Sequence, residues 1–185
     1  MTASQAGDQA KRSRPQSLVL VNTGDGKGKT SAAVGVAVRG VARGWRVAVV
    51  QFMKSGKWKT GEAKLAEQLG IDWWSLGDGW TWESDDIDAS TQLARQAWSL
   101  AADLIAAGEH QLVILDEVTY PMVYDWVPTS EVVAAVTNRP ATVNVVITGR
   151  DAPEEIISIA DTVTEMRNVK HAFEQGIPAM KGIEF

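Results

Sequence analysis

The amino-acid sequence predicts an α/β fold, a mostly parallel central sheet with helices on both faces. Three observations carry that expectation. From Ser17 onward, short runs of β-branched and aliphatic residues alternate with helix-patterned stretches, and parallel strands need such crossovers between them. The strand-like runs are continuously apolar, as strands covered on both faces must be. A glycine-rich loop falls between the first strand and the first helix, at the end of the sheet where such folds gather ligands.

Taken in order, residues 1–16 are polar, carry Lys11, Arg12, Arg14 and Pro15, and show no apolar period. They are expected to form a disordered tail, or a lid whose cations order over an anionic ligand. One domain is expected over 17–185. Strands are predicted at Leu18–Val21, Arg46–Phe52, Leu112–Leu115 and Val143–Thr148, with a weaker one around Thr162–Met166. Helices are predicted at Lys29–Arg43, Gly61–Leu69, Asp88–Ala107, Glu131–Asn138 and Pro153–Ala160. The third of these places Leu93, Ala97, Leu100 and Leu104 on one face, behind an acidic first turn that suits the helix dipole.

Composition excludes several classes of function. A net charge of -5 and a pI near 5.1 give no general attraction to nucleic acid or to anionic membranes. Any phosphate must therefore be held locally. Cysteine is absent, which removes disulfides, thiolate metal sites and a cysteine nucleophile, and a reducing cytoplasm is the expected location. The longest apolar run, Ser31 to Val50, is interrupted by Arg39, Arg43 and Arg46, and the first residues lack an apolar signal core. Neither export nor membrane spanning is expected.

The most informative segment is Gly24-Asp25-Gly26-Lys27-Gly28-Lys29-Thr30. Its glycines let backbone N–H groups turn inward onto phosphate oxygens, while the helix that follows adds the positive end of its dipole. Lys29 would reach phosphate and the Thr30 hydroxyl would reach magnesium, as the P-loop pattern requires. That pattern places a glycine at position 23, where this chain has Thr23 followed by Gly24, so the loop is irregular. A second element is the apolar strand Leu112 to Leu115, which ends in Asp116 and Glu117. Carboxylates at that position resemble a Walker B element and hold magnesium directly or through water. Together these make the expected fold P-loop NTPase-like.

The P-loop fold hosts kinases, motors and transferases alike, so other residues must choose the reaction. The chain has eight tryptophans. Trp73, Trp74, Trp80 and Trp82 crowd into one stretch, and Trp80 and Trp82 alternate within a glycine-flanked loop, Leu76 to Glu83. Rigid apolar faces above a nucleotide site suit a flat, bulky second substrate. They equally suit a loop tucked onto the sheet. Two rival readings are a P-loop ATPase or small-molecule kinase, which would release ADP, and a carrier that binds without turnover.

The chain closely resembles the P-loop-type corrinoid adenosyltransferases. The resemblance rests on Gly24 to Thr30, Gln51-Phe52-Met53-Lys54, Gly61-Glu62, Gly79-Trp80-Thr81-Trp82-Glu83, Val113 to Tyr120 and Ile147-Thr148-Gly149-Arg150. It continues through Ala160 to Met166, Val169-Lys170-His171-Ala172-Phe173 and Gly182-Ile183-Glu184-Phe185. The departures are Asp25, where many members have asparagine, and Trp80, where phenylalanine is common.

The resemblance implies attack by the Co(I) of a reduced corrinoid on the 5′ carbon of ATP, with release of triphosphate. No general base is needed, since Co(I) is already a strong nucleophile. It implies that Gly24, Asp25, Gly26, Lys27, Gly28, Lys29 and Thr30 bind ATP, that Lys29 is catalytic through charge on the leaving triphosphate, and that Mg2+ is held by Thr30, Glu117 and Asp116. Trp80 and Trp82 would bind the corrinoid and promote catalysis by displacing the lower axial ligand of cobalt. Lys54, Arg150 and Lys170 are further cations of the matching segments, open to contact with phosphate or corrin side groups, or equally to surface charge or a structural ion pair. His110, expected at a solvated helix end, and His171 carry no assigned role. A reductase supplying Co(I) and a homodimer are the implied partners.

Overall fold

The computed structural model describes residues 17–53, 60–77 and 87–184. Its centre is a six-stranded sheet in which every pairing is parallel, in the order β3-β2-β4-β5-β1-β6. The strands are β1 (Val19–Thr23), β2 (Val47–Gln51), β3 (Asp72–Ser75), β4 (Leu112–Asp116), β5 (Asn144–Thr148) and β6 (Thr162–Glu165). The helices are α1 (Lys29–Ala42), α2 (Gly61–Leu69), α3 (Ile87–Ala107), α4 (Thr119–Val123), α5 (Thr129–Thr137) and α6 (Glu154–Ile159).

The two-residue side-chain period of a strand sorts the apolar runs onto two faces. Ala48, Val50, Val113, Leu115, Val145 and Ile147 point into one core, with Ala94, Ala97, Trp98, Ala101 and Ile105 of α3, Val132 and Val136 of α5, and Ile156 of α6. Val47, Val49, Leu112, Ile114 and Val146 point into the other, with Ala33 and Ala37 of α1 and Ala66 of α2. All five residues of β2 and of β4 are buried, which is why those segments read as uninterrupted hydrophobic runs.

The predicted strands and helices are present, and the expected helices on both faces are seen. The sheet is wholly parallel, beyond the mostly parallel one expected. One strand and one α-helix are additional, besides a 3-10 turn at Phe173–Gln175. Edge strand β3 contains Trp73 and Trp74, and all four of its residues are only partly buried, so no continuous apolar run announced it. Helix α4 is a single short turn that contains Pro121, too brief for a helical period to register. His110 departs from its expected solvated position: it is buried, and its Nε2 lies 2.8 Å from Asp72 Oδ2 at the amino ends of the strands.

Candidate nucleotide and metal site

The loop after β1 turns sharply into α1 at Gly28, whose φ of 107° lies in the left-handed region that side-chain-bearing residues avoid. Helix α1 therefore opens at Lys29 without a side-chain cap, leaving its first N–H groups for an anion. The other two loop glycines are required by close approach. A Cβ on Gly24 would sit 2.9 Å from Glu165 Cγ, and one on Gly26 would sit 2.7 Å from the Arg167 carbonyl carbon. Gly26 N–H donates to Met166 O at 2.7 Å, so the chain leaving β6 buttresses the phosphate loop.

Each cation of the loop already has a partner. Lys29 Nζ curls back to donate to Gly24 O at 2.5 Å and Gly26 O at 2.8 Å. Burial chiefly, and then the neighbouring charge of Arg150, hold the Lys29 pKa below the ordinary lysine value, against the pull of Glu117, Asp25 and Asp116. Lys27 forms an ion pair with Glu184. The Asp25 carboxylate is 80% exposed and lies 3.8 Å from Arg150 Nε, so the acidic departure in the loop is solvated and faces a cation that lines the cleft.

Asp116 ends β4 with 1% of its surface exposed, and three donors meet its carboxylate. Oδ1 accepts from Thr30 Oγ1 at 2.9 Å and from Thr148 Oγ1 at 2.8 Å, while Oδ2 accepts from Gln51 Nε2 at 2.8 Å. Thr148 Oγ1 in turn accepts from Glu117 N–H at 2.9 Å. Glu117 adopts a φ of 63°, unusual for a residue with a side chain, and it lines the same cleft as the phosphate loop.

That cleft has a volume of about 510 Å³. The loop residues Asp25 to Ser31 form its floor, and Glu117, Tyr120 and Arg150 line it as well. Burial foremost raises the Tyr120 pKa above the ordinary phenol value, partly offset by Arg150, which keeps its hydroxyl protonated. Gly61, Glu62 and Leu65 of α2 and Gly182 to Glu184 close the remaining sides.

The residues present fit a magnesium ion. Asp116 accepts the hydrogen bond of the Thr30 hydroxyl and so leaves that oxygen's lone pairs free for a cation, while Glu117 adds a carboxylate. Among the described residues no group of three or more His, Cys, Asp or Glu could hold a metal ion.

The structure thus brings Gly24 to Thr30, Asp116 and Glu117 together. Trp80, Trp82 and Lys54 lie outside the described residues. Arg150 reaches the cleft, whereas Lys170 lines a neighbouring depression with Arg167 and His171. The His171 ring accepts at Nδ1 from Phe173 N–H at 3.1 Å. Sequence reasoning gave no site role to Gln51, Tyr120 or Thr148. Gln51 and Thr148 were visible as polar residues ending apolar strands and within segments of the family resemblance.

A parallel sheet with a glycine-rich loop after its first strand and an acidic strand end beside it has the layout of a P-loop NTPase-like domain. Comparison with known proteins narrows the class. The chain belongs to the family described as ATP:corrinoid adenosyltransferase BtuR/CobO/CobP, whose model matches residues 15–185. It is 43% identical over 168 residues to the corrinoid adenosyltransferase of Escherichia coli K12, covering 91% of this chain and 85% of that one. It is 41% identical over 176 residues to the enzyme of Salmonella typhimurium LT2, covering 95% and 89%. Against the Pseudomonas aeruginosa PAO1 enzyme it is 42% identical over 170 residues, covering 91% and 83%.

Proposed function

We propose that this protein transfers the 5′-deoxyadenosyl group of ATP to the Co(I) of a reduced corrinoid, in the formation or salvage of adenosylcobalamin. The observation that carries the reading is the family match, which extends from residue 15 to residue 185 and includes the whole phosphate cleft. In the reaction, cobalt forms a bond to the 5′ carbon, the bond from that carbon to its triphosphate oxygen breaks, and triphosphate leaves with the electron pair.

No side chain has to remove a proton, so the protein's task is position and charge. Lys29 leaves the carbonyls of Gly24 and Gly26 for phosphate oxygens, and the N–H groups that open α1 face the same anion. Arg150 stands near enough to shift the Lys29 pKa and adds a second positive charge over the cleft. Thr30 and Glu117 would hold Mg2+, with Asp116 accepting from the Thr30 hydroxyl. When bound, the ion neutralises charge that builds on the departing triphosphate. Trp80 and Trp82 form the apolar surface for the corrinoid. A reductase supplies the Co(I) state, and a cytoplasmic homodimer is the working form. Among the described residues no helix is long and apolar enough to cross a membrane.

The test is an anaerobic assay with chemically reduced cob(I)alamin, ATP and magnesium. Triphosphate should appear in step with a light-sensitive alkylcobalamin. ADP accumulating whether or not corrinoid is present would replace this reading with an ATPase or kinase.

A further inference from the structure

Gln51 is an amide buried to 2% exposure at the end of an otherwise apolar strand, Val47-Ala48-Val49-Val50-Gln51. Burying an unpaired amide is costly, so its hydrogen bonds must account for its presence. Both ends of the amide are engaged. Gln51 Oε1 accepts from Trp73 Nε1 at 3.1 Å and from Ser75 Oγ at 2.8 Å, and Nε2 donates to Asp116 Oδ2 at 2.8 Å. An indole N–H only donates, so Trp73 fixes the amide with its oxygen toward β3 and its nitrogen toward Asp116. Strand register supports the arrangement, because Gln51 pairs with Ser75 on one side and with Asp116 on the other.

We propose that Gln51 is a positioning residue for the metal and nucleotide site: it holds the Asp116 carboxylate in the one orientation that accepts the hydrogen bond of the Thr30 hydroxyl. The inference rests on the reading that the loop binds magnesium and ATP. Asp116 Oδ1 receives both Thr30 and Thr148, and these two hydroxyls come from opposite sides of the site, at the start of α1 and the end of β5. A carboxylate rotated about its terminal bond cannot serve both. Gln51 anchors the other oxygen and prevents that rotation. With the hydrogen bond of Thr30 directed to Asp116, the hydroxyl oxygen faces the cleft and the cation. Along the carboxyl edge of the sheet, one hydrogen-bonded chain thereby runs from Trp73 and Ser75 through Gln51 and Asp116 to Thr30.

The measurement is ATP affinity by titration calorimetry, with magnesium and with EDTA, on the full chain without corrinoid. Three variants serve: Gln51→Glu, which keeps an acceptor for Trp73 and Ser75 but loses the donor; Gln51→Met, which loses both; and Trp73→Phe with Ser75→Ala, which frees the amide to flip. In the Gln51 variants, the tightening of ATP by magnesium should fall roughly ten-fold or more, the scale of a lost hydrogen bond to a charged group. ATP affinity in EDTA should stay within about two-fold. The β3 double variant should move the same way by a smaller factor, and it carries the test if the Gln51 variants do not fold. A wild-type magnesium effect in a folded Gln51 variant overturns the proposal. So does an equal loss with and without magnesium, which would make Gln51 merely structural. Wild-type protein that binds no ATP would instead overturn the nucleotide reading on which the inference stands.

Discussion

Gly149 joins β5 to Arg150, and replacing it with alanine should cost several kcal/mol of stability. Two separate physical terms contribute. Its φ of 144° belongs to a region that residues with a side chain rarely adopt, at a cost of about 1–3 kcal/mol. An added Cβ would also overlap Thr119 Oγ1 and fall 2.9 Å from Thr119 Cβ. Thr119 is fully buried at the start of α4 and has no open side to move into, so overpacking adds about 1–3 kcal/mol. The sum, about 2–6 kcal/mol, is a large part of the roughly 5–15 kcal/mol that holds a domain of this size together. Near the middle of that range the melting temperature should fall by about 12 °C. Urea denaturation followed by circular dichroism measures it. Thr119 Oγ1 has no hydrogen-bond partner among the described residues, which makes Thr119→Ala a usable background. There, Gly149→Ala should recover much of the overpacking term and none of the backbone term. A Gly149→Ala protein within about 0.5 kcal/mol of wild type would refute the argument.

Lys29→Met should weaken ATP by roughly 10- to 100-fold in calorimetry, the loss of one charge-assisted contact, with little change in melting temperature. The pH dependence of ATP affinity has a definite sign. Burial first, then Arg150, lowers the Lys29 pKa, and the protonated form binds phosphate. Affinity should therefore fall on the alkaline side before an ordinary lysine would titrate, and Lys29→Arg should flatten that fall. A curve equally steep in both proteins would exclude Lys29 as its source. At the far end of the strands, Asp72→Ala removes the partner of His110 Nε2 in a ring whose Nδ1 has no hydrogen-bond partner among the described residues. It should cost about 1–3 kcal/mol in urea denaturation and leave ATP affinity unchanged.

Local chemistry was written plainly along the chain. Valine and isoleucine runs such as Leu112 to Leu115 have no stable place except between two covered faces, and glycines around two lysines have few uses but to wrap phosphate. The parallel sheet, the phosphate loop and the acidic strand end were legible for that reason. Edge strand β3 was not, because its residues are half-buried and carry neither a continuous nor an alternating pattern. His110 misled because a polar residue at a helix end reads as surface, whereas Asp72, 38 residues away, makes its burial tolerable.

By itself the sequence determined the class of fold and the glycine- and lysine-rich loop, since each follows from residue type at short spacing, while the family rested on resemblance along segments from Gly24 to Phe185. Only the tertiary structure decided which groups meet. Thr30, Gln51, Asp116 and Thr148 stand far apart in the chain, and parallel strands deliver their carboxyl ends to one edge of the sheet. It also decided what Asp116 meets, because donors from α1, β2 and β5 converge on its one carboxylate.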